Sequence, residues 1–212
     1  MLFRHIGHAE FLIVTENGHR IVTDPYDETC GYPVKQIRAD TVLVSHQHHD
    51  HNAVGNVTDA ALVVDTAGQF TPAAGIGITA LDAYHDDTQG TKRGKTLLFL
   101  IEAEGLRVAH LGDLGCDLNE GQLRTLGEID VLMIPVGGFF TIDAAQAKKI
   151  AEQLHAKVIL PMHFRTEANA DWPIAGPEDF LALYGEEEIA RGGEALRVTK
   201  GDLVCQKRVV LL

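Results

Sequence analysis

The chain has 212 residues, of which 45% are hydrophobic, and its 30 acidic against 18 basic side chains give a formal net charge of −12. That length suits one domain with an ample core, so 1–212 reads as a single unit, and so negative a body disfavours a phosphate-backbone partner such as nucleic acid. No run approaches the roughly 18 apolar residues of a membrane helix, the segment Met1 to His8 is too short and polar for a secretory leader, and Cys30, Cys116 and Cys205, widely spaced without a CxxC pair, suit reduced thiols in the cytoplasm.

In chain order, Glu10 to Thr15 and His19 to Thr23 flank a Glu16-Asn17-Gly18 turn and predict a hairpin. It ends at Asp24-Pro25, a turn-forming pair. The apolar run Thr41 to Val44 predicts a buried strand that delivers Ser45-His46-Gln47-His48-His49-Asp50-His51-Asn52. Neutral imidazole and carboxylate are the usual protein ligands of zinc and related divalent metals. The spacing lets His46 and His48 face one ion, with Asp50 and His51 further round the turn toward a second. Ala60 to Val64 and Ile76 to Leu81 predict further strands, the latter leading to Tyr84-His85-Asp86. A second hairpin, Thr96 to Ile101 and Leu106 to Leu111, runs into Gly112-Asp113, where a glycine permits close backbone approach.

Asp130 to Val136 predicts a buried strand ending in Gly137-Gly138. Ala144, Ala147, Ile150, Ala151 and Leu154 recur at helical spacing, predicting a helix from Asp143 to Leu154 with Thr141 or Asp143 as its cap. Lys157 to Met162 is the next strand, with His163 just beyond. This strand–helix–strand unit puts Gly138 and His163 at neighbouring strand ends, where α/β sites lie. Past Pro177 we expect one short helix and strands over Ala195–Thr199 and Leu203–Leu212.

The combination Gly7-His8-Ala9, Asp24-Pro25, the HxHxDH run from His46 to His51, Tyr84-His85-Asp86, His110-Leu111-Gly112-Asp113, Pro135-Val136-Gly137-Gly138 and Pro161-Met162-His163-Phe164 resembles the metallo-β-lactamase fold. It looks most like the broad group that includes ascorbate-6-phosphate lactonase. The resemblance spans essentially the whole chain and implies an α/β, four-layer αββα sandwich around two divalent metal ions, with zinc foremost and manganese or iron as alternatives. By that likeness His46, His48 and His85 would hold one ion and Asp50, His51 and His163 the other. Asp113 would bridge them, and Asp50 and Asp113 carry the catalytic assignment. Asp24 would orient a metal-bound histidine as its hydrogen-bond acceptor. His110 would support or pack behind the ligands, and His8 stays open between the site's mouth and the core.

Two such ions about 3.5–4 Å apart lower the pKa of a shared water from near 16 toward about 7, which implies hydrolysis by a bridging hydroxide. The cations outweigh the two carboxylates, so a small anionic ester, lactone or phosphodiester is the expected substrate. Arg93 and Arg165, close after His85 and His163, are candidate anchors for its carboxylate or phosphate, with Gly138 a third candidate contact. A secreted lactamase would carry a leader and often a cysteine ligand. A hydroxyacylglutathione hydrolase needs a helical domain after its last ligand, and only 212 − 163 = 49 residues follow here. RNA-processing relatives need a cationic surface. A mononuclear iron dioxygenase on the same fold and a non-catalytic metal-binding domain remain as other readings, and a homo-oligomer is a weak expectation.

Overall fold

The computed structural model describes residues 1–205 and 207–212, and two mixed β-sheets face each other through it. The first sheet has six strands, in spatial order Leu196–Arg197, Leu2–Gly7, Glu10–Val14, Arg20–Thr23, Thr41–Leu43 and Leu62–Val64. The second has eight: Ile189–Arg191, Val209–Leu211, Val158–Met162, Val131–Pro135, Leu106–His110, Lys95–Ala103, Ile76–Tyr84 and Gly68–Ala73. Period-two side-chain alternation sorts the second sheet into two faces. Along Lys95–Ala103, Leu97, Phe99 and Ile101 enter the core between the sheets, where they meet Phe3, Phe11 and Ile21. Leu98 and Leu100 enter a second core on the outer face. The parallel strands Val131–Pro135 and Val158–Met162 are buried on both faces, which is why they read as unbroken apolar runs.

Helix Ala144–Gln153 closes the outer face with Ala147, Ile150 and Ala151. The Asp143 side chain accepts from Gln146 N while Gln146 reaches back to the Asp143 amide, a reciprocal cap. Helix Glu120–Leu126 is capped the same way by Asn119 and Gln122. Over the first sheet the covering layer is thin: the pair Ile37–Arg38 and Val57–Thr58, with Leu12, Val22 and Ala39 beneath it. The arrangement is an α/β sandwich of two facing sheets, as the resemblance implies. No helix among the described residues is long and apolar enough to cross a membrane.

Several elements differ from the sequence expectation, among them helix Glu120–Leu126 and strand Ile189–Arg191, where the sequence predicts no element. Leu2–Gly7 is a full strand between Leu196–Arg197 and Glu10–Val14 despite carrying Arg4 and His5. Gly68–Ala73 is an additional strand at the edge of the second sheet, half-buried and partly polar. The expected strand Leu203–Leu212 reduces to Val209–Leu211. Residues Leu203–Cys205 form a 3-10 turn after the Thr199–Asp202 turn, and Gln206 lies outside the described residues.

Candidate metal centre

The site forms where strand ends of both sheets meet. Asp24 ends the strand Arg20–Thr23 with φ +42, and its amide donates to Leu43 O at 2.8 Å. Its buried carboxylate accepts from Ser45 N at 2.7 Å, Ser45 Oγ at 2.8 Å and His51 Nδ1 at 3.0 Å. Ser45 O in turn accepts from Leu97 N at 2.8 Å, tying the first sheet to the second just before the histidine run. His46, Asp50 and His51 are buried, while His48 is exposed at the opening.

The other side chains arrive from the second sheet. His85 follows Ile76–Tyr84, its amide bonded to Gly94 O. Gly115 passes so close behind it that an added Cβ would sit 2.4 Å from both His85 C and Asp86 N. Gly112 has φ +49 and leaves no room for a side chain: a Cβ would lie 2.7 Å from Ser45 Cβ and from Leu97 O. Asp113 is thereby brought under the histidines, its amide donating to Thr96 Oγ1 at 3.2 Å. His163 follows Val158–Met162 with φ +52, and its amide donates to His8 O at 3.0 Å. His8 itself has φ +52, so three non-glycine residues of the site, Asp24, His8 and His163, hold the left-handed conformation, each at a cost of about 1–3 kcal/mol.

Four imidazole Nε2 atoms converge on one oxygen, Asp113 Oδ2: His163 at 3.1 Å, His51 and His85 at 3.3 Å and His46 at 3.9 Å. His46 Nε2 also stands 2.9 Å from His48 Nδ1. Asp113 Oδ1 is buried without a hydrogen-bond partner, as is His51 Nε2. Such crowding of lone-pair donors suits a shared cation better than it suits hydrogen bonding. The donor atoms form three groups of suitable span: His46, His48 and His85; His8, Asp50, His51 and His163; and His46, His51 and Asp113.

Electrostatics prepare these donors. Burial lowers the pKa of His46 to about 3, with the nearby His51 acting in the same direction, and burial with His163 lowers that of His8 to about 4. Burial also lowers His85, so these three rings are neutral and their lone pairs free. Burial would raise the Asp50 and Asp113 carboxyls. The neighbouring histidines overcome it, so both stay ionised well below the usual range. His51 is the exception: burial opposes its charge, yet Asp113 and Asp24 raise it well above 6.5.

All seven sequence-predicted ligand candidates are brought together here. His8, left open by the sequence, is buried in the cluster, with Nε2 3.2 Å from Asp50 Oδ2 and its ring 4.2 Å from that of His163. His110 lies behind the site: Nε2 donates to Ala9 O at 3.0 Å, while Nδ1 accepts from Gly112 N at 3.2 Å and sits 4.0 Å from Asp24. Arg93 lines the cavity of about 460 Å³ that opens over His48, Asp113 and His163. Arg165 is not among the residues lining that cavity; it is exposed, past the left-handed turn at His163, with its amide held by Ala175 O. Gly138 is likewise not among the residues lining that cavity, and its amide donates to Ile142 O. Phe140 and Trp172 also line the cavity, and no local pattern marks them because only the fold brings their loops together.

A family model described as a β-lactamase superfamily domain matches residues 3–163. The chain belongs to this superfamily. Similar superfamily members include UPF0173 metal-dependent hydrolases from Thermococcus onnurineus, 29% identical over 92% of this chain and 98% of that one, and from Pyrococcus furiosus, 30% identical over 91% and 97%. A metallo-β-lactamase-superfamily structure from Thermotoga maritima superposes with a TM-score of 0.77 at 36% identity, over 99% of this chain and 97% of that one.

Proposed function

We propose that this superfamily member is a dinuclear metal-dependent hydrolase acting on a small anionic ester, lactone or phosphodiester. The observation that carries the reading is the convergence of four Nε2 atoms on Asp113 Oδ2. His46, His48 and His85 would hold one ion and Asp50, His51 and His163 the other, with Asp113 shared between them. Zinc suits the imidazole-rich donor set, and manganese or iron would also be accepted. When bound, the ions supply an activated water and a Lewis acid for the developing oxyanion.

The chain's own residues do the rest. Asp24 accepts from His51 Nδ1 and so fixes the tautomer that leaves Nε2 free to ligate. His8 Nε2 donates to Asp50 Oδ2 and orients that carboxylate. Arg93 lies at the cavity wall, where it would receive the substrate's anionic group. Hydrolysis adds the water oxygen to the carbonyl or phosphoryl centre and a proton to the leaving alkoxide, so no co-reactant is required. The net charge of −12 supports a small molecule rather than a nucleic acid as partner, and the free thiols of Cys30 and Cys116 suit the cytoplasm. The test is a panel of esters, lactones and phosphodiesters with zinc- or manganese-loaded protein. Turnover abolished by Asp113→Ala supports the reading. Oxygen uptake by an iron-loaded form with no hydrolysis rejects it.

A further inference from the structure

Arg93 is held in an unusual way. Its sequence neighbours Lys92 and Lys95 pair with Asp87 and Asp82, but no carboxylate pairs with the Arg93 guanidinium among the described residues. It is half-buried instead over aromatic faces, 5.4 Å from the Phe140 ring and 6.0 Å from that of Phe139. Its backbone is fixed by a carboxylate knot. Asp86 Oδ1 accepts from Thr88 N, Thr88 Oγ1 and Gly90 N at 2.8–2.9 Å, and Oδ2 accepts from Lys92 N at 3.0 Å and Arg93 N at 2.8 Å. The loop between His85 and Arg93 is therefore set before any ligand arrives, which lowers the cost of binding.

The aromatic side is equally deliberate. Phe139 has φ +57, which a bulky residue rarely adopts, and the residue is 63% exposed. Phe140 sits beside it, and the Trp172 ring lies 6.3 Å beyond Phe140. Asp171, next to Trp172, also lines the cavity. Arg93 thus stands beside apolar faces at the cavity wall, with Phe140 in contact with both its guanidinium and the Trp172 ring. A ligand with a negative head at Arg93 and an apolar body along Phe140 and Trp172 matches this arrangement.

The geometry points to substrates that are amphipathic: carboxylate- or phosphate-bearing esters with an aromatic or similarly broad apolar body, the anion on Arg93 and the body laid along the faces that Phe140 and Trp172 present to the cavity. This rests on the hydrolase reading for the reaction but not for the binding. Trp172 is the single tryptophan of the chain, so its fluorescence reports this cavity directly.

The experiment titrates zinc-loaded full-length protein with 3-phenylpropionate, phenyl phosphate, propionate, inorganic phosphate and 3-phenylpropanol, following Trp172 emission with calorimetry as a second readout. Both aryl anions should bind about tenfold more tightly than the short anions or the neutral alcohol, as expected of combined aromatic and cationic contacts. Arg93→Met should reduce the aryl anions to the affinity of the alcohol, Phe140→Ala should reduce them to that of the short anions, and Arg93→Lys should keep much of the preference. Propionate binding as tightly as 3-phenylpropionate overturns the inference, as does a folded Arg93→Met with wild-type affinities. Selective binding without turnover would reject the hydrolase reading alone; turnover without selective binding would reject this one alone.

Discussion

Replacing Asp24 by Asn is nearly isosteric yet removes what its position requires. Asp24 is fully buried, and its two oxygens accept three hydrogen bonds, from Ser45 N on Oδ1 and from Ser45 Oγ and His51 Nδ1 on Oδ2. Asparagine has one acceptor oxygen. If its NH2 replaces Oδ1, it meets the Ser45 N–H donor to donor. If it replaces Oδ2, His51 keeps a bond only by moving its proton to Nε2, the atom that faces Asp113 at 3.3 Å. A mismatched buried donor costs about 1–3 kcal/mol, and breaking one side of a buried ion pair about 3–5 kcal/mol. Asp24→Asn should therefore destabilise the cation-free protein by about 3 kcal/mol, since the protonated His51 keeps Asp113 and Asp50 as partners. It should weaken the cation site holding His51 by about 10–100-fold, the usual effect of losing a carboxylate behind a ligating imidazole. The site of His46, His48 and His85 should change less, because Asp24 reaches His46 only through Ser45 Oγ, 2.9 Å from His46 Nδ1. Competition with a chromophoric chelator gives the two dissociation constants, and urea unfolding in excess chelator gives the stability. Two unchanged dissociation constants in a folded variant would refute the tautomer argument.

Other substitutions test neighbouring parts of the account. Glu10 is buried and its pKa is pushed up to about 8, by burial first and then by the charge of Asp24, against an ordinary 4.5. The folded-state value is the raised one, so this group's stabilising share is complete below about 4.5 and is lost as pH rises through about 8. Glu10→Gln should thus match the wild type near pH 4 and exceed it by on the order of 5 kcal/mol well above pH 8, at ~1.4 kcal/mol per pKa unit; equal unfolding curves at high pH would contradict this. Gly115→Ala drives a methyl group into the His85 and Asp86 backbone, so it should cost about 1–3 kcal/mol and weaken the site that includes His85. A variant with unchanged melting temperature and metal content would show that the loop yields freely. His8→Ala leaves Asp50 Oδ2 without its donor, and the second-site dissociation constant should rise about tenfold or more while the first is held. Equal changes at both sites would point to general loosening instead.

The sequence exposed the ligand candidates because each follows an apolar strand, and a buried strand end is a fixed platform. His46, His85, Asp113 and His163 all have this context, and Asp24 stands at the end of a legible hairpin. His8 escaped because a histidine after Arg4 and His5 looks the same whether it faces a core or a cation; the left-handed turn and the bond from His163 N decide it. Arg93 and Arg165 were indistinguishable as basic residues following a histidine. The Asp86 knot presents one at the cavity wall, and the turn after His163 leaves the other exposed and outside the lining. Phe140 and Trp172 lie on irregular loops whose approach depends on both strand ends at once, and no local periodicity records that. The edge strand Gly68–Ala73 carries Gln69, Thr71 and Pro72, a composition that signals a loop unless a neighbouring strand is known.

The central claim is that two cations work together around Asp113. Its most direct test is a metal titration of chelator-stripped protein, following hydrolysis of the best panel substrate against metal bound per chain. The account predicts activity that rises to a plateau at about two ions per chain, with Asp50→Ala and His163→Ala left at one ion and nearly inactive. Full activity at one ion, retained in both variants, would contradict it.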